Sequence, residues 1–322
     1  MKILSVDDDP IILEILCQVL SVMDSHVVVQ AETAKEALTI LDQNDGPPFD
    51  CFLLDIQMPG TDGTMLARHI RQTDGYDTTP IVMLTAMSEK RYIDKAFAAG
   101  ATDYVCKPFD LLELRTRINV VEQLVQTRKN AFDAGAVYKG SDAEEQLNPS
   151  DAFELRRIDN VISFDAMKNY VAQLSRSALF GSTVFAFTLR DVTSFCENLK
   201  ARDFTTLIAD VAEVITGRFS DRRVLIAYAG NGTFLCITGS GSRPDMAAMT
   251  DLVNLHLNQA NIMSGDGTVL NPRVSAGTAI SLVWKSGEKI LGCLVSAQAS
   301  AERAAAEHER LRYDFFHSEK IA

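Results

Sequence analysis

The run Cys51-Phe52-Leu53-Leu54-Asp55-Ile56-Gln57-Met58-Pro59-Gly60 decides the fold of the first half of the chain. Four apolar residues end abruptly in a carboxylate, and Pro59-Gly60 then supplies a turn, as in a strand buried on both faces whose last residue opens into a loop. Working outward, Ile3 to Val6, Val27 to Val29, Ile81 to Leu84 and Tyr104 to Cys106 repeat the pattern of short apolar runs. Helical spacing fills the intervals between them. Asp9 before Pro10 suits the N-cap and first position of a helix, and Thr33 with Glu36 forms a capping box. Gly46-Pro47-Pro48 and Gly100 punctuate the remaining connections. Alternating strands and helices imply five parallel strands in a doubly wound α/β sheet.

Four of these strands end in polar groups: Asp7-Asp8, Asp55, Thr85 and Lys107. The carboxyl ends of strands in an open α/β sheet form the ligand crevice, so residues remote in sequence converge there. Clustered carboxylates raise one another's pKa unless a cation neutralises them, and an all-oxygen set with few protein ligands suits Mg²⁺. A carboxylate held beside Mg²⁺ and a lysine is able to attack phosphorus and form an acyl phosphate, with Asp55 as the nucleophile.

At 322 residues the chain has room for two domains. A helix starting near Asp110 places Leu111, Leu114, Ile118, Val121 and Val125 at helical spacing and runs on past the first domain, compatible with a homodimer. A polar stretch, Ala134 to Asp151 with Gly140-Ser141-Asp142 and Asn148-Pro149, reads as a joint. The expected domains are 1–125, a helical extension and linker at 126–154, and 155–322. In the last, strands at Thr183 to Leu189, Val224 to Tyr228, Phe234 to Thr238 and Val274 to Ile280 alternate with helices near 165–177, 203–217, 245–260 and 293–308, giving a second mixed domain.

A net charge of -12 disfavours a nucleic-acid partner. Lys2 is followed by too short an apolar run for a signal peptide, and no stretch reaches membrane-spanning length, so a cytoplasmic location without membrane insertion is expected. The six cysteines lie far apart with no C-x-x-C pair, which suggests buried, reduced thiols.

The motifs SVDDDP (5–10), FLLDIQMPGTDG (52–63), MLTA (83–86) and DYVCKPF (103–109) resemble, in order and spacing, the CheY-like receiver domain of two-component response regulators. The resemblance implies that Asp55 is the phosphoacceptor. Asp8 and the backbone carbonyl of Gln57 would bind Mg²⁺ with Asp55, Asp7 assisting through water. Thr85 and Lys107 would hold phosphoryl oxygens, Tyr104 would be the switch aromatic, and Lys107-Pro108 would be cis. A histidine kinase or phosphotransfer protein is the implied partner. Lys90, Arg91, Asp94, Asp103 and Arg117 are candidates for pairing across a dimer face or for simple solvation.

Asn231-Gly232 between two apolar runs signals a hairpin. DNVISFDAMKNY (159–170), FTLRDVTSF (187–195), RVSAGTAI (273–280) and CLVSAQASAERAAA (293–306), with Ala229-Gly230-Asn231-Gly232-Thr233-Phe234 in the hairpin position, resemble the GGDEF family of nucleotide cyclases. The resemblance implies a mixed α/β cyclase-like fold with a degenerate site. Gly232 and Thr233 stand where the family carries metal-binding carboxylates, and Asn231 replaces a glycine. Asp191 keeps the first metal position, but Thr193 and Leu199 replace an Asp and an Asn, and Asp221 with Val224 replaces the product-inhibition pair. Arg190 and Arg202 read as solvated surface. Diguanylate cyclase activity is therefore expected to be absent, leaving an output module for an unknown downstream protein. The rivals are a retained GTP or cyclic di-GMP binding cleft and, less favoured, an active cyclase.

Overall fold

The computed structural model describes residues 1–22, 26–86, 90–138, 148–175, 179–219, 224–239, 241, 243–283, 285 and 288–318. They form two compact units, Met1–Ala143 and Glu144–Ala322.

In the first unit β1 (Lys2–Val6), β2 (Val27–Ala31), β3 (Cys51–Asp55), β4 (Ile81–Thr85) and β5 (Asp103–Cys106) make one parallel sheet in the order β2-β1-β3-β4-β5. Every residue of β3 and β4 is buried, as a parallel sheet covered on both faces requires. The edge strand β2 leaves Val27 exposed, which explains its weaker apolar run.

Side chains close the helix starts. Asp9 caps α1 (Pro10–Val22) by accepting from the Ile11 N–H at 2.9 Å. At α2 (Ala34–Asp42) Thr33 accepts from the Glu36 N–H, but the Glu36 carboxylate accepts from Glu32 rather than from Thr33, so the expected capping box closes one residue early. Asp62 caps α3 (Gly63–Gln72) through the Met65 N–H. Gly100 follows α4 (Lys90–Ala98) with φ 97°, and its carbonyl accepts from both Nε and a terminal nitrogen of Arg71, which also reaches the carbonyls of Tyr76 and Thr79. That arginine ties α3 to the entry of β4 and the exit of α4.

The helix α5 (Leu111–Tyr138) buries Leu114, Ile118, Val121 and Val125 against Leu53, Val82 and Leu84. Leu111 faces outward, half exposed, because the apolar stripe starts one turn later than its spacing suggested. The helix persists through residues 134–138, the start of the expected joint, while Gly140-Ser141-Asp142 lies outside the described residues. Lys90 pairs with Asp94 and Arg117 with the buried Asp103, so these charges find partners within the chain.

The second unit runs α6 (Phe164–Gln173), β6 (Thr183–Leu189), α7 (Val192–Asn198), α8 (Ala201–Gly217), β7 (Val224–Tyr228), β8 (Thr233–Thr238), α9 (Met246–Gln259), β9 (Val274–Ala276), β10 (Ile280–Ser281) and α10 (Glu288–Ser318). Its sheet is antiparallel and centred on β6 and β8, with β7 beyond β8 and both β9 and β10 on the far side of β6. Phe204, Leu207, Ile208, Val211, Ala212 and Ile215 give α8 a buried stripe against that sheet.

The single strand expected over 274–280 is split. Gly277 N–H still donates to the Ala186 carbonyl at 3.0 Å and the regular pairing lapses after it; a Cβ on Gly277 would lie 2.6 Å from the Ala301 backbone nitrogen, so α10 passes tightly against the chain where the strand ends. The helix near 165–177 ends at Gln173, the last one spans 288–318 rather than 293–308, and α7 was not foreseen. All six cysteines are free; Cys51, Cys236 and Cys293 are buried, whereas Cys17, Cys106 and Cys196 are partly exposed. No helix among the described residues is long and apolar enough to cross a membrane.

Candidate functional site

Backbone bonds at the carboxyl ends of the first unit's strands set the site. Asp7 N–H donates to Ala31, Ile56 N–H to Leu84 and Lys107 N–H to Thr85, so the strand pairing that builds the sheet also carries Asp7, Asp55, Thr85 and Lys107 to one edge. Asp7, Asp55 and Thr85 are buried, while Asp8 is exposed at the rim. Oxygens of Asp7, Asp8 and Asp55 lie within 4.8 Å of one another. Lys107 Nζ reaches Asp7 Oδ2 at 2.6 Å and Asp55 Oδ1 at 2.7 Å. The Lys107-Pro108 bond is cis.

The electrostatics are those of a site short of positive charge. Burial pushes the Asp55 carboxyl above its ordinary value, Asp7 and Asp8 add repulsion, and Lys107 offsets part of this. Burial alone would lower the Lys107 ammonium, but its bonds to Asp55 and Asp7 outweigh that and hold it above the usual lysine value. One lysine among three carboxylates leaves room for a divalent cation, and an all-oxygen donor set fits Mg²⁺.

Gly63 is a positioning residue that the sequence reading used only as part of a motif. A Cβ there would come within 2.0 Å of the Asp55 carbonyl oxygen, so the loop closes tightly behind the carboxylate only with glycine. Gln57, two residues beyond Asp55, is exposed in the same loop. Tyr104 is buried with its ring edge-on to Phe97, centroids 6.2 Å apart.

In the second unit the β7–β8 hairpin forms as expected, with Gly230, Asn231 and Gly232 all at positive φ. Its surroundings were not foreseen. A Cβ on Gly230 would lie 2.2 Å from the Ser150 carbonyl oxygen, Asn231 N–H donates to the Pro149 carbonyl at 2.6 Å, and Phe153 packs at a tilt against Tyr228, centroids 4.6 Å apart. The segment 149–153 thus lies across the tip. Thr233 is fully buried and shares a hydrogen bond with Thr188. Asp191 occupies the N-cap position of α7 at φ 54° without a side-chain cap bond, and its N–H donates to Glu309. Leu199 and Thr193 lie on or just after α7, Arg202 lies on α8, and Asp221 is outside the described residues. Arg190 is not simply solvated: it is half-buried and donates from Nε to Ser275.

Residues 3–119 match the family profile of the response regulator receiver domain. The transcriptional regulatory protein KdpE of Staphylococcus aureus is 37% identical over 128 residues, covering 40% of this chain and 52% of that protein. The transcriptional regulatory protein ResD of Bacillus subtilis is 38% identical over 121 residues, covering 37% and 47% respectively. The chain thus spans about half the length of the curated relatives it matches. Among solved structures, a putative response regulator from Chloroflexus aurantiacus is 36% identical, with 37% of this chain and 95% of that one covered and a TM-score of 0.35.

Proposed function

With residues 3–119 forming a response regulator receiver domain, we propose that this protein is the phosphorylated member of a two-component system, modified on Asp55 by a histidine kinase or phosphotransfer protein, with a catalytically inactive GGDEF-like second unit as its output module. The observation that carries the first part is the convergence of Asp7, Asp8 and Asp55 within 4.8 Å, with Lys107 on Asp55.

The chemistry follows from that geometry. An Asp55 oxygen attacks the phosphorus of a phosphohistidine, forming the new O–P bond as the P–N bond breaks and the imidazole departs. Lys107 moves from the carboxylate to a phosphoryl oxygen, and the Thr85 hydroxyl takes another. Asp7, Asp8 and Asp55, with the Gln57 carbonyl, would hold Mg²⁺, whose charge offsets that of the phosphoryl oxygens. Phosphorylation adds a doubly charged group beside Thr85, favouring the state in which Thr85 and Tyr104 pack inward and altering the surface around α4 and α5.

The reading of the second unit rests on what the hairpin lacks. Thr233 is buried and committed to Thr188, where a metal-binding carboxylate would be needed. The Ser150 backbone fills the space against Gly230 that a phosphate would have to enter. Among the described residues Asp7, Asp8 and Asp55 are the one cluster of three groups suited to a metal, and Asp191 stands outside it. Protein interaction or dimerisation remains the use that such a unit supports, and the net charge of -12 argues against direct nucleic-acid contact.

The test is labelling by acetyl phosphate with and without Mg²⁺. The wild-type chain should gain one phosphoryl group only with Mg²⁺, and Asp55→Asn should gain none; undiminished labelling of that variant would sink the assignment.

A further inference from the structure

Arg190, just after β6, and Arg273, just before β9, stand side by side because Arg190 N–H donates to the Arg273 carbonyl at 2.8 Å. Burial, and after it the charge of Arg273, lowers the Arg190 guanidinium below its ordinary value, with Asp191 offsetting only part. Arg190 Nε is fixed on the Ser275 hydroxyl at 2.9 Å, which leaves its terminal nitrogens available. Among the described residues neither guanidinium forms a salt bridge, in a chain whose net charge is -12. Two adjacent cations that Asp191 offsets only in part are a standing cost that an anion would relieve.

Space for the anion is present. Both arginines and His308 line two neighbouring clefts of about 740 Å³ and 400 Å³. The larger one opens between α9 and α10. Thr250 and Asn258 offer hydrogen-bonding groups along one wall, Met246, Leu255 and Ala304 offer apolar surface, and the carboxylates are Asp251 in the larger cleft and Asp191 and Glu309 in the smaller. Leu255 is 53% exposed on that wall. The volume falls in the range of small-molecule sites, and paired guanidiniums suit the geometry of phosphoryl oxygens.

We propose that this α9–α10 cleft binds a small phosphorylated ligand, its phosphoryl oxygens held by Arg190 and Arg273. None of the receiver's Asp7, Asp8, Asp55 or Lys107 lines this cleft, and it would let the second unit respond to a metabolite independently of Asp55. An organic phosphate and a free inorganic polyphosphate share this chemistry, so both serve as probes.

The experiment is calorimetric titration of the full chain with ADP and, separately, with inorganic pyrophosphate. Binding of ADP would assign an organic phosphate, and binding of pyrophosphate alone a free inorganic ion. In either case Arg273→Gln should weaken binding about tenfold, the loss expected when one charged hydrogen-bonding partner goes. Arg273 is exposed and its side chain makes no described hydrogen bond, so the variant should keep the fold, checked by its circular dichroism. Arg202→Gln, a charge change outside the cleft, should leave affinity unchanged. No heat from either ligand at millimolar concentration on folded protein would overturn the proposal, as would equal affinity in Arg273→Gln.

Discussion

Asp55 is held where its charge is costly. Burial and the neighbouring Asp7 and Asp8 raise its carboxyl above the ordinary 3.8, and Lys107 repays only part. A carboxyl whose folded value is raised contributes stability that is fully present below the unfolded value and is lost as pH rises through the folded one. Asp55→Asn removes the ionising group while Lys107 keeps Asp7 at 2.6 Å. In Mg²⁺-free buffer at pH 7 its first-unit melting temperature should therefore exceed that of the wild type, with the gap closing as pH falls toward 4. A gap that is absent at pH 7, or that widens on acidification, would show that Lys107 outweighs burial. The residues of this site were legible because each is a polar group ending an apolar run. Arg190 and Arg273 were not, because a cation at a strand end in an acidic chain looks like solvated surface until the pairing of β6 with β9 sets the two together.

At the scale of elements, the buried stripe of α5 is the test of which residues hold that helix to the sheet. Ile118 is fully buried, so Ile118→Ala should cost about 2–5 kcal/mol in chemical denaturation of the first unit. Leu111 is 52% exposed, and Leu111→Ala should change stability by less than about 0.5 kcal/mol. Similar costs for the two would contradict the observed register. The strands of both units fell within about two residues of their expected bounds wherever apolar runs were bounded by turn residues. The break between β9 and β10 escaped notice because Gly277 looks like any strand glycine until α10 passes within contact of it. The segment 149–153 escaped for a related reason. It meets the hairpin through backbone groups at Pro149 and Ser150, which leave no periodic trace in the side chains.

The whole molecule joins a receiver unit, where Asp7, Asp8, Asp55 and Lys107 converge, to a second unit whose β7–β8 hairpin carries no carboxylate. The two units bury separate cores, one around Leu53, Val82 and Ile118 and the other around Phe187, Ile208 and Phe234. If the second unit is inactive as a cyclase, incubating the full chain with GTP and Mg²⁺, with or without beryllofluoride, should yield no cyclic di-GMP above a protein-free control. Steady accumulation of that product would refute the inactive reading while leaving the receiver intact. The doubly wound fold of the first unit and the mixture of strands and helices in the second could be read in the sequence, but the role of the second unit could not, because its resemblance to the cyclases rests on positions where carboxylates are missing, and missing groups name no partner.

The most direct test of the central claim is to locate the phosphoryl group. After treatment with acetyl phosphate and Mg²⁺, borohydride reduction converts an aspartyl phosphate to homoserine, which tandem mass spectrometry places in the sequence. Homoserine at position 55, and at no other aspartate, is the predicted result. Homoserine at Asp7 or Asp8, or a reduced chain with Asp55 unchanged, would contradict the account.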